Sequence, residues 1–82
     1  MPRPGSDESL QRLANINKVI RLAETTNASL GTMRKVRQDW VSSVSATVPD
    51  SKNRLRMEIG NNLLSVEKLL DLLRGQLVEL SR

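Results

Sequence analysis

Any chemistry in this chain would fall to carboxylates, lysines, arginines and hydroxyls, because its 82 residues include no histidine, cysteine or tyrosine. General acid–base and nucleophilic catalysis need such groups held together in a water-excluding pocket. No readable motif sets a base beside any serine, and the lysines and glutamates fall where a solvated helix face would put them. Gly5, Gly31, Gly60 and Gly75 are isolated and form no phosphate-cradling loop. Without cysteine or histidine the common zinc sites and disulfides are excluded too. The sequence therefore points to a non-enzyme, with no catalytic, cofactor-binding or metal-ligating residue.

Recognition chemistry has more to work with. The formal net charge is +4, and Arg34, Lys35, Arg37, Lys52, Arg54 and Arg56 fall in one stretch diluted only by Asp39 and Asp50. If the chain folds back near Pro49, both basic groups come to the turn and form a basic tip. Such a tip can dock on an acidic surface or simply keep the molecule dissolved. An acidic protein partner ranks above nucleic acid, because no aromatic residues are interleaved to stack on bases and no nucleic-acid-binding signature is present.

The elements that position these groups read as helices. Ile59, Leu63, Val66, Leu70, Leu73, Leu77 and Leu80 alternate by four and three residues, the rhythm of a seam that one helix buries against another. Leu10, Leu13, Ile16, Ile20 and Ala23 repeat at helical spacing upstream. The pattern then loosens, and Arg34 and Arg37 would fall inside the apolar sector of a straight helix. Thr25, Thr26, Asn27 and Gly31 are weak helix formers, so a break near residues 25–31 is the alternative. Val48-Pro49-Asp50-Ser51 is the clearest turn signal.

The expected architecture is all-α: an antiparallel hairpin of two long helices with coiled-coil-type packing. A disordered lead-in (residues 1–6) would precede a helix over about 7–47, a turn at 48–51 and a helix over about 51–81. A three-helix bundle broken near residues 25–31 is the alternative. A chain this short is marginal by itself, and with disulfides and metals excluded, assembly is the remaining source of stability. No apolar run is long enough to span a bilayer and no secretory signal is visible, so an intracellular location, cytoplasmic or nuclear, is expected.

The last helix carries a second apolar set, Met57, Leu64, Leu72 and Val78, roughly opposite the seam. With Trp40, the only aromatic residue, it forms the expected partner interface. Trp40 is equally suited to plugging the core near the turn. Together these features suggest a non-catalytic assembly subunit that lends its helices to a larger bundle with other helical subunits, a hetero-oligomer in preference to a homo-oligomer. A self-assembling or filament-forming structural subunit is the second reading. In length and turn placement such a hairpin resembles, in outline, the needle subunits of bacterial secretion systems. The aromatic residues that mark the ends of that family are missing here. A small basic module for nucleic acid or another acidic surface is the third reading.

Overall fold

The computed structural model describes residues 4–82, and the side chains of residues 8–82. Two long helices, α1 (Pro4–Asp39) and α2 (Asn53–Leu80), pack side by side. Arg37 pairs with Glu67, Asn27 with Arg74, and Trp40 stands against Gly60, so the two run antiparallel. The fold is a helical hairpin, as expected. The first three residues of the expected lead-in lie outside the described residues, and the rest open α1.

α1 passes unbroken through residues 25–31. Thr26 and Thr32 donate their hydroxyls to the Leu22 and Ala28 carbonyls at 2.7 and 3.2 Å, and what offsets the weak helix propensity there is contact with α2. Asn27 accepts a hydrogen bond from Arg74 at 2.6 Å, and Leu30 between them is fully buried. The hairpin, not the three-helix alternative, is what these contacts stabilise.

Beyond Asp39 the helical path continues but widens. Trp40–Val44 form one π turn, in which the Ser45 N–H donates to the Trp40 carbonyl, and Ser45–Thr47 tighten into a 3-10 turn. Ser43 and Thr47 donate their hydroxyls to the Asp39 and Val44 carbonyls at 2.9 and 2.7 Å. Hydroxyls that bond back to the preceding turn compete with the backbone ladder and bend helices. Val48 and Pro49 are extended, with ψ of 127° and 151°. A 3-10 turn over Asp50–Lys52, closed by the Lys52 N–H on the Pro49 carbonyl at 2.9 Å, then leads into α2.

The molecule measures 72 × 17 × 16 Å, with a radius of gyration of 20.0 Å. A compact domain of this length would have a radius of gyration of about 12 Å. At ~1.5 Å per residue α1 is ~54 Å long and α2 ~42 Å. α2 ends at the height of residues 19–20, so the first turns of α1 run roughly 20 Å past it with no companion among the described residues.

Candidate interaction surfaces

The inner line of α1 is Val19, Ala23, Thr26, Leu30, Met33, Arg37 and Trp40, all buried or half-buried and spaced by four and three. The inner line of α2 is Gly60, Leu63, Glu67, Leu70, Arg74, Leu77 and Ser81, at the same alternating spacing. Three members of the expected seam, Leu63, Leu70 and Leu77, lie on this line. Ile59, Val66, Leu73 and Leu80 lie one position aside; Ile59 is half-buried and the other three are exposed. The helix is thus rotated by part of a turn relative to the expectation.

The rotation has two physical causes. Arg37 lies inside the sector of α1 that meets α2, and a charge there needs a counter-charge. Glu67 supplies it, accepting from Arg37 Nε at Oε2 and from Nη2 at Oε1, the latter at 3.4 Å. Trp40 needs room, and Gly60 provides it; a Cβ at Gly60 would sit 3.6 Å from the indole Nε1. Arg74, the next polar residue of the inner line, donates to Asn27 and to Asp71, the latter at 2.5 Å. Among the described residues no buried side-chain nitrogen or oxygen lacks a hydrogen-bond partner.

Two faces flank this seam. On one, Ile20, Glu24 and Asn27 share a shallow groove with Arg74 and Val78, and farther along Arg34 shares one with Leu64, Lys68 and Asp71. This face is charged through its middle. At the end of α2, Arg12, Asn15, Ile16 and Val19 share a groove with Leu80. Helical spacing places Lys18, Leu22, Ser29 and Val36 of α1 with Leu73, Val66 and Ile59 of α2 on the other face.

The expected partner residues therefore do not form one patch. Trp40 is half-buried on the seam. Met57, Leu64 and Val78 are exposed on the charged face, while Leu72, also exposed, lies on the back of α2 away from α1. The basic residues divide as well. Lys52, Arg54 and Arg56 stand at the turn, whereas Arg34, Lys35 and Arg37 lie level with Glu67, roughly 20 Å from it. Arg37 is occupied by Glu67, Arg54 pairs with Glu58 at 3.2 Å, and Arg56 donates to Asn53.

Among the described residues only Ala23 and Leu30 form a buried apolar core. Leu13, Leu22, Leu69, Leu72 and Leu80 are each more than half exposed, and Leu55 is half exposed. Sequence reasoning missed the side of α2 that carries Leu55 and Leu69. The signal was available: Leu55, Ile59, Asn62, Val66, Leu69, Leu73, Gln76 and Leu80 also alternate by four and three. Among the described residues no helix is long and apolar enough to cross a membrane. No protein-family model, curated protein or solved structure matches the chain.

Proposed function

We propose that this chain is a non-catalytic assembly subunit that lends its two helices to a larger helical bundle or coiled coil. One observation carries the reading: the chain exposes 6671 Å², against about 4,900 Å² for a compact monomer of its mass. The excess, roughly 1,700 Å², matches what each partner contributes to an obligate interface. Nine leucines and five valines are exposed, and the isolated hairpin has no second layer to cover them. The overhanging start of α1, with Leu10 and Leu13 exposed, suits a helix from another subunit. Lys52 at the turn, without an ion pair among the described residues, suits an acidic protein surface. A second reading, self-assembly, is favoured by the uncharged middle of one face.

The test is amide hydrogen exchange on the chain purified from its native source with whatever it binds, compared with the isolated chain. Peptides carrying Leu69–Leu80 and Leu10–Ile20 should gain protection in the complex. A folded chain that purifies alone, with equal protection in both preparations, would overturn the reading.

A further inference from the structure

We infer that the flank of α1 carrying Arg34, Gln38 and Ser42 docks a partner helix that bears paired carboxylates. The inference rests on the assembly reading and names the chemistry of one partner.

The side chains of this flank are donors without acceptors. Arg34, Arg37, Gln38, Val41 and Ser42 line one groove on α1 and the π turn that follows it. Four of the five carry N–H or O–H donors, and none is a carboxylate. Arg34, Gln38 and Ser42 are exposed, and their side chains make no hydrogen bond or ion pair among the described residues. Arg37 gives Nε and Nη2 to Glu67, which leaves Nη1 for a second acceptor. Neither Glu67 nor Asp39, the nearest acid in sequence, lines the groove.

The neighbouring charges do not cancel this flank. Arg34 also borders the next groove, where Lys68 of α2 has no ion pair among the described residues. The two acids of that groove, Glu67 and Asp71, are bonded to Arg37 and Arg74. Glu24 stands ten residues before Arg34, about 15 Å along the helix. The turn offers less: Arg54 and Arg56 are bonded to Glu58 and Asn53, and Lys52 follows Asp50 closely.

Spacing selects a helix over a small anion. Arg34, Gln38 and Ser42 stand at i, i+4 and i+8, a row roughly 12 Å long. A single phosphate reaches only part of such a row. Carboxylates one turn apart on a helix lying along α1 advance by about 6 Å, as the row does. Val41, 64% exposed, supplies an apolar contact within the groove. Nucleic acid also repeats its anions, but no aromatic ring lines the groove to stack on a base.

The test is titration of the isotope-labelled full chain with a synthetic helical peptide bearing glutamates at i and i+4 on an alanine background. The Arg34 Nε–H, Gln38 side-chain amide and Ser42 backbone signals should shift, and those of residues 52–56 should not. Arg34→Glu should weaken binding by about tenfold or more, because it removes a hydrogen bond between charged groups. Gln38→Glu should weaken it in the same direction. Lys18→Glu makes the same change of net charge as Arg34→Glu, about 24 Å away on α1, and should leave the affinity within about twofold. Circular dichroism checks that each variant is folded. An absence of binding, equal weakening by Arg34→Glu and Lys18→Glu, or shifts centred on the turn would overturn the inference. So would tighter binding of inorganic phosphate or a single-stranded oligonucleotide at the same residues. Failure here leaves the assembly reading standing, because exposed leucine and valine carry that reading. Failure here together with unchanged exchange protection in the native complex sinks both.

Discussion

Arg37 and Glu67 meet across the seam as a two-pronged ion pair in which the carboxylate is almost wholly buried and the guanidinium is not. The side chains are 8% and 41% exposed, respectively. The pair fixes the rotation of α2 because a buried carboxylate with no partner is costly. Glu67→Ala leaves Arg37 partly able to reach water. We expect a loss of about 2 kcal/mol, below the roughly 3–5 kcal/mol of a fully buried pair. Replacing both residues with leucine should be neutral or stabilising, while freeing α2 to rotate toward its Ile59–Val66–Leu73 side. Urea unfolding followed by circular dichroism checks both, and an unchanged midpoint for Glu67→Ala would remove the pair from the account.

Trp40 and Gly60 set a steric limit on the same seam. A Cβ at position 60 would make an ordinary contact with the indole, so Gly60→Ala should be accepted and should gain up to about 1 kcal/mol of helix propensity. Gly60→Leu should push the indole out toward water. With one tryptophan in the chain, a red shift of its fluorescence reports this directly. An identical emission maximum in both variants would mean that Trp40 does not rest on Gly60.

Leu70 and Leu73 are three residues apart and should behave differently. Leu70 lies half-buried on the inner line, and Leu73 is 44% exposed on the flanking face. Leu70→Asp should cost roughly 3 kcal/mol and melt the hairpin, because it buries a charge without a partner. Leu73→Asp should keep the helicity of the isolated hairpin and abolish association. Circular dichroism and sedimentation on the same samples separate the two outcomes; equal loss of helicity in both would contradict the observed rotation of α2.

The start of α1 should be the least stable part of the isolated chain. Residues 8–18 have almost no second helix beside them, and a short helix without tertiary packing is marginal in water. Their amides should exchange much faster than those of Ala23–Arg37, and exchange should slow only when a partner is bound. Uniform protection along α1 in the isolated chain would contradict this.

The hairpin itself was legible in the sequence: the proline turn, the apolar spacing of both helices and the lack of any other stabiliser all point to it. The facing of α2 was not. Leu63, Leu70 and Leu77 belong to two overlapping stripes of identical spacing, one completed by Val66 and Leu73, the other by Glu67 and Arg74. Apolar content favours the first, but the choice depends on Arg37 and Trp40, which lie on the other helix. A one-helix periodicity does not contain that information. Arg37 inside the apolar sector looked like an argument against a continuous α1, and it is instead the residue that demands Glu67. Arg34 and Lys35 were assigned to the turn because they are close to it in sequence. A rise of ~1.5 Å per residue carries them well away from it.

The central claim, that this hairpin is under-buried and completes itself by assembly, is tested most directly by thermal unfolding of the purified chain over a wide concentration range. We expect a transition whose midpoint rises with concentration, or rises on addition of a partner. One cooperative transition, with the same high midpoint at every concentration and the mass of a single chain throughout, would contradict the claim.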